Sequence, residues 1–292
     1  MHREPIGRAL EVLSWIANNP SDHLGVRQIA RDIGTTPSTV HRILATFEEY
    51  RLLGRSNDGQ YVVDLELYRI CETIAGELSP TRIAKPFLEE LAAECGETTV
   101  FGVYDPRQRR VMFSSRVEAR HPVRHVAELH RWLPVHSGAS GLAILAFRPP
   151  EERRLVYAEG LESLTPATLV TPAKIEAELT RIRAQGYAHS VGQRTPGAVC
   201  FAAPVFESQD QACGDLCVTL PEQRFQAGEF EKSLVAMLTE AARRASEAMR
   251  SAGYRSSRPA PGPTGLAHRK AVSGNRDTRA QTTVTAASSA DP

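Results

Sequence analysis

Thr36–Phe47, TPSTVHRILATF, is the stretch on which the amino-terminal half of the chain turns. Thr36 offers a side-chain oxygen where a helix would start, and Pro37 falls at the first helical position, where its missing N–H costs nothing. Val40, Ile43, Leu44 and Phe47 stand at i, i+3, i+4 and i+7 and predict one buried stripe. At about 100° per residue, Ser38, Arg42 and Ala45 then face away from the core. Just upstream, Val26–Ile33 reads as a second short helix, with Val26, Ile29, Ala30 and Ile33 inward. Gly34 is suited to a left-handed cap between the two. Two short helices joined by a tight glycine turn make a helix-turn-helix, whose second helix here shows small polar groups and an arginine outward, as reading a major groove requires.

Outward from this pair the pattern continues in both directions. Ile6–Asn18 predicts an amphipathic helix with Ala9, Leu10, Leu13, Ile16 and Ala17 on its inner face, closed by Asn18-Asn19-Pro20-Ser21. Beyond Phe47 the helix is expected to reach Tyr50. Leu53–Ser56 and Gln60–Val63 then flank Asn57-Asp58-Gly59, a strong hairpin signal. A hairpin in that place makes a winged helix-turn-helix, and Arg55 on the wing is a natural phosphate contact. On the third helix, Thr36, Ser38 and Thr39 can donate to phosphates or base edges. Arg42 has the fork to reach O6 and N7 of a guanine, worth ~1–3 kcal/mol of discrimination if bidentate. His41 at the flank suits a phosphate or plain solvent, and Arg27 is a further phosphate candidate. The competing reading of the same residues is an ordinary solvated helix face.

Charge alone does not announce a nucleic-acid partner. The net charge is +1, and residues 1–80 hold eight arginines, no lysine and eleven acids, a net of −3. The basic footprint has to be local: between Val26 and Phe47, Arg27, Arg31 and Arg42 face the single acid Asp32. No run approaches a membrane span, and Arg3, Glu4, Arg8 and Glu11 interrupt any signal-peptide core. The five cysteines, Cys71, Cys95, Cys200, Cys213 and Cys217, show no disulfide framework, which fits a reducing cytoplasm.

Leu67, Ile70, Cys71, Ile74 and Leu78 repeat at helical spacing over a segment, 65–80, with nothing local to bury them. It reads either as packing on the first domain or as a dimer-forming linker helix. From 81 to 250 the chain mixes helices (83–95, 140–147, 151–158, 173–185, about 230–250) with strands (98–104, 111–117, 187–190, 198–205, 215–220), an α+β pattern with an antiparallel sheet. From 251 to 292 Pro, Ser, Thr, Ala, Gly and Arg dominate without apolar period, so this tail is expected to be disordered.

The chain resembles the IclR family of bacterial transcription regulators. The likeness is carried in the first domain (1–64) by Arg8-Ala9-Leu10-Glu11-Val12-Leu13, Ile29-Ala30, Gly34 and Ser38-Thr39-Val40-His41-Arg42. In the second it runs through Pro134-Val135-His136, Gly141, Gly186-Tyr187 and Ala202-Ala203-Pro204-Val205. This resemblance implies a winged helix-turn-helix joined to a GAF-like effector-binding domain, a homodimer or homotetramer on double-stranded operator DNA, and a small organic-acid effector. It places effector contacts at Ala139, Ser140, Ser190, Cys200, Cys217 and Thr219, with Ser140 at a helix start where N–H groups can hold a carboxylate. Two departures stand out. Thr35-Thr36-Pro37 replaces the Leu-Pro-Lys common in the family, removing a cation. Ser190-Val191-Gly192-Gln193 replaces an acidic stretch.

The implied protein is a repressor, or an activator on the same fold, with no cofactor, no metal and no catalytic residue. An enzyme built on a His136–Cys200 nucleophile pair is the alternative from another class, and a ligandless oligomeriser is a third. Cys213 and Cys217, four apart on an expected strand, would share a face but lack the further ligands zinc needs.

Overall fold

The computed structural model describes residues 5–19, 24–75, 79–122 and 124–256. Helix α1 (Pro5–Asn18) carries apolar residues on two sides and buries one of them. Trp15 Nε1 donates to Asp32 Oδ2 at 2.9 Å, which draws the Trp15 side of α1 toward α2 (Val26–Ile33). Val12 and Ile16 enter the core, whereas Ile6 and Leu10 are 72% and 58% exposed. The inner face expected around Leu10 and Ala17 is thus corrected to one through Val12 and Ile16.

The helix-turn-helix forms as its punctuation dictates. Gly34 closes α2 at φ 68° and ψ 48°, and the Thr35 N–H reaches back to the Ala30 carbonyl at 2.9 Å. Thr36 caps α3 (Pro37–Glu49) by accepting from the Thr39 N–H at 3.3 Å. Val40 and Leu44 lie in the core with Ile29, Leu53 and Tyr61. Strands β1 (Leu53–Arg55) and β2 (Tyr61–Val63) pair antiparallel, Leu53 opposite Val63, to make the wing. Helix α4 (Leu65–Ala75) follows and buries none of its described side chains: Leu65, Tyr68 and Ile74 are 79%, 62% and 80% exposed. Leu78 of the expected stripe lies outside the described residues.

The second domain is one six-stranded antiparallel sheet between two helical layers. Its elements are α5 (Pro80–Cys95), β3 (Thr98–Asp105), β4 (Arg110–Val117), β5 (Trp132–Pro134), α6 (Gly138–Leu145), α7 (Pro150–Ala158), α8 (Pro172–Gln185), β6 (Ala188–Val191), β7 (Ala198–Phe206), β8 (Ala212–Pro221) and α9 (Glu229–Ser251). The strand order is β5-β4-β3-β8-β7-β6. One face packs Phe101, Phe201 and Leu216 against Leu88 of α5 and Leu238 of α9. The other packs Val100, Ala202 and Cys217 with Leu142 of α6 and Ile175 of α8.

Two register slips fix which residues reach which face. Phe101 pairs with Ser115 but Gly102 with Phe113, so Ser114 is an extra residue in β4. Val205 pairs with Gly214 but Phe206 with Ala212, so Cys213 is an extra residue in β8. Cys213 consequently packs toward α5 and α9, while Cys217 packs on the opposite face. The shared face expected of these two cysteines is corrected by that slip, since one inserted residue inverts the alternation.

The ordered fold also passes the boundary expected at 250. Helix α9 runs to Ser251, and the chain then turns so that Tyr254 packs beside the α9 layer and its carbonyl accepts from the Ser208 N–H and Oγ. The tail expected from 251 is thus corrected at its start; residues 257–292 lie outside the described residues.

Helix α6 is buried on every side. A Cβ at Gly141 would stand 2.1 Å from the Val135 carbonyl oxygen, a backbone atom that cannot swing away. Gly141→Ala is therefore expected to destabilise the second domain by ~1–3 kcal/mol, read as a lower denaturant midpoint with an unchanged slope.

Candidate DNA-reading face and ligand cavity

On the amino-terminal domain the exposed side of α3 carries Ser38, His41 and Arg42, with Thr36 and the half-buried Thr39 at its start. The three small polar groups are coupled: Thr36 Oγ1 lies 3.0 Å from Ser38 Oγ and 2.9 Å from Thr39 Oγ1. Their hydroxyls can turn outward as a set toward a phosphate. Arg27, Arg31 and Arg42 are exposed and make no side-chain hydrogen bond or ion pair among the described residues. The one acid nearby, Asp32, is already engaged by Trp15 and by Gln28 Nε2 at 2.9 and 2.8 Å. Three unpaired guanidinium groups thus stand on a domain whose overall charge is negative.

Arg55 is placed differently from the outward phosphate contact expected of it. Its Nε and Nη2 meet Glu48 Oε1 and Oε2 at 2.9 and 3.0 Å, and its Nη1 donates to the Gly59 carbonyl at 2.8 Å. Its Cζ lies 3.6 Å over the Tyr61 ring. The fork therefore ties the wing to the end of α3. The sequence spacing of seven between Glu48 and Arg55 could have suggested this partner. His41 packs edge-on to the same Tyr61, ring centroids 6.3 Å apart.

In the second domain a cavity of about 410 Å³ opens between the sheet and the start of α6. All six effector positions named from the sequence line it: Ala139, Ser140, Ser190, Cys200, Cys217 and Thr219. They converge because β6, β7 and β8 alternate their side chains across the sheet, so Ser190, Cys200, Cys217 and Thr219 share one face. The Ala139 N–H donates to Ser190 Oγ at 2.9 Å, and Cys200 Sγ lies 3.3 Å from Thr219 Oγ1. Ser140 Oγ donates to Asp215 Oδ1 at 2.7 Å, over Gly102, where a Cβ would stand 2.1 Å from that oxygen. A wider depression of about 650 Å³ between α8 and β6 is more open to solvent, so the 410 Å³ cavity shields a ligand better.

Sequence reasoning missed several residues of this cavity. Phe113, His125, Leu133, Gln193 and Arg194 also line it. The only signal for Arg194 was a lone cation in the small-residue run Gly192–Gly197. His125 and Leu133 belong to the irregular approach to β5, a three-residue strand without a period of its own. The neighbouring Cys217 thiol, with Thr219, holds the Cys200 thiol below its ordinary value. The His136–Cys200 pair weighed from the sequence is not formed: His136 Nε2 is engaged with the Glu162 carbonyl at 3.0 Å, and His136 does not line the cavity. Among the described residues no cluster has the composition of a metal site, and no helix is long and apolar enough to cross a membrane.

Asp215 is fully buried without an ion-pair partner among the described residues, and burial pushes its carboxyl up from 3.8 to about 7. A raised carboxyl pKa means that the folded state holds a proton the unfolded chain has released. The stabilisation from Asp215 is therefore complete below about pH 4, is lost as pH rises toward 7, and stays lost above it. Asp215→Asn is expected to remove that part of the decline between pH 4 and 7, measured by denaturant titration across the range.

Comparison with known proteins agrees with both halves of this geometry. The family model for the IclR helix-turn-helix domain matches residues 5–56, and that for the bacterial transcriptional regulator IclR C-terminal domain matches residues 76–247. The HTH-type transcriptional regulator BhcR of Paracoccus denitrificans is 31% identical over 246 residues, 84% of this chain and 86% of its own. The transcriptional repressor IclR of Escherichia coli is 26% identical over 223 residues, 76% of this chain and 81% of its own. An IclR homologue from Microbacterium hydrocarbonoxydans, solved with 4-hydroxybenzoate, superposes with a TM-score of 0.74 at 24% identity, covering 85% of this chain and all of that one. These relatives are named as regulators, not enzymes, and the chain belongs to the IclR family of bacterial transcriptional regulators, built as a winged helix-turn-helix domain followed by an α+β, GAF-like effector domain.

Proposed function

We propose that this regulator is a cytoplasmic repressor that binds operator DNA through α3 as a homodimer or a homotetramer and is modulated by a small organic acid held in the 410 Å³ cavity. The observation that carries the DNA reading is the unpaired Arg42 on the outward face of α3, beside Ser38 and the Thr36–Thr39 start. A planar fork without an internal partner can pair bidentately with a guanine edge at no cost in broken ion pairs. Arg27 and Arg31 supply phosphate neutralisation that the net charge of the domain does not. A relative named as a repressor supports the sign of regulation, and a structural neighbour solved with 4-hydroxybenzoate supports an organic acid as ligand.

The packing supports two copies. Helix α4 buries none of its described side chains, and Ile6 and Leu10 of α1 are likewise uncovered. Faces of that size on helices are normally matched by another chain. Each head offers few free cations, so affinity comes mainly from joining two heads to one duplex.

Arg42→Ala is expected to weaken binding to the DNA flanking the regulator's own gene by ~1–3 kcal/mol, measured by fluorescence anisotropy at fixed salt. Arg55→Ala should lower the stability of the winged domain more than it lowers affinity at matched folding. Unchanged affinity in the Arg42 variant would remove the centre of this reading. For the dimer, Ile74→Glu is expected to shift the protein to monomer in sedimentation velocity and to flatten the salt dependence of binding. A monomeric wild type would contradict it.

A further inference from the structure

Cys200 and Cys217 stand together in the cavity wall in an arrangement that binding a ligand does not require. Cys200 of β7 pairs with Thr219 of β8, and Ala202 pairs with Cys217, so the two cysteines are diagonal neighbours on one face of adjacent strands. Their thiols meet as hydrogen-bond partners, and Thr219 Oγ1 lies 3.3 Å from Cys200 Sγ. The two sulfurs are not equally placed. Cys200 is half-buried, whereas Cys217 is buried.

Their surroundings also set them apart from the other thiols of this domain. Burial pushes the Cys95 and Cys213 thiols up, away from the reactive form. Cys200 moves the other way: the Cys217 thiol, the Thr219 hydroxyl and then the charge of Arg194 favour its thiolate, against burial and Asp215. Arg194 is anchored beside the cavity by its Nη2, which donates to the Ser137 carbonyl. The hydrogen bond with Cys200, burial and the charge on Cys200 hold Cys217 protonated. A half-exposed thiol that ionises thus sits beside one that does not, the pairing in which one sulfur is oxidised and the other resolves it.

We propose that Cys200 and Cys217 form an oxidation site for hydrogen peroxide and small alkyl hydroperoxides, closing to a reversible disulfide. The Cys200 thiolate attacks the terminal oxygen of the peroxide, an S–O bond forms and the O–O bond breaks. The leaving hydroxide or alkoxide takes up the proton that Cys200 released. Sulfur loses two electrons and the peroxide gains them. The sulfenic acid is neutral, so the charge that helped keep Cys217 protonated is gone. Cys217 then attacks the Cys200 sulfur, an S–S bond replaces the S–O bond, and hydroxide departs with the Cys217 proton as water. Diagonal residues on antiparallel strands have Cα atoms ~7–8 Å apart, at the limit of a disulfide, so the bond draws β7 and β8 together at the cavity wall. A disulfide made against that spacing is readily reduced again by cellular thiols.

The chemistry is independent of any effector; only its consequence for DNA rests on the repressor reading above. The test treats the reduced full chain with hydrogen peroxide or tert-butyl hydroperoxide and maps the cysteines by mass spectrometry after thiol blocking. A peptide cross-linked through Cys200 and Cys217 is expected, formed roughly tenfold faster than N-acetylcysteine is oxidised under the same conditions. Cys217→Ser should instead accumulate a sulfenic acid on Cys200, trapped by dimedone, and Cys200→Ser should leave Cys217 unoxidised. Circular dichroism checks that the variants fold, and the wild-type cross-link reads the site without them. Oxidation of Cys200 no faster than the free thiol overturns the proposal. Sulfenic acid on wild-type Cys200 without the cross-link overturns the role of Cys217. On the DNA flanking the regulator's own gene, the oxidised protein is expected to differ from the reduced by roughly fivefold or more in affinity, restored by dithiothreitol. Unchanged affinity overturns that consequence alone, and DNA binding by neither form overturns the repressor reading while the cross-link stands.

Discussion

Helix α6 is buried on all sides, and it can lie under the sheet only because Gly141 offers no side chain to the Val135 carbonyl. That approach seats the helix against the segment that leads into it from β5. It also brings Ser140 to Asp215 through the gap that Gly102 leaves open. Glycine is needed at Gly141 and Gly102 for space rather than for backbone freedom. The ligand-facing chemistry of the domain rests on these two missing methyl groups.

The amino-terminal domain is held by polar contacts in places where a larger domain would use apolar area. Trp15 and Gln28 occupy Asp32, and Glu48 occupies Arg55, so these two acids are engaged by the domain's own scaffold. Among the arginines left over are those on the outward faces of α2 and α3. A net-negative domain can therefore present a locally positive surface without any lysine, because what matters to a phosphate is which charges remain unpaired.

Where local chemistry decides structure, the sequence was readable. Gly34 and Thr36-Pro37 marked the turn and the helix start because a left-handed residue and a capping oxygen have few alternatives. The six cavity positions were legible only through resemblance, since nothing in their spacing shows that Ala139 and Cys200 meet. The face of α1 was misjudged because two apolar stripes compete on it and the choice belongs to packing with Ile29, Val40 and Leu44 farther along the chain. The opposed faces of Cys213 and Cys217 depend on a one-residue slip against Phe206, which strand alternation does not reveal. Arg194 escaped for a similar reason: its significance lies in Ser137 and Gly138, more than fifty residues earlier in the chain.

The Arg55–Glu48 contact has a mechanical meaning as well. With the wing fastened to α3 at one end and Tyr61 packed beneath both Arg55 and His41, hairpin and reading helix form a single stiff head. Such a head has little freedom to retune its own grip on a duplex. A signal from the cavity that changes DNA binding would then act by repositioning whole heads relative to each other, as a change in span rather than in shape. Operator half-site separation, more than half-site sequence, is the quantity such a mechanism would sense.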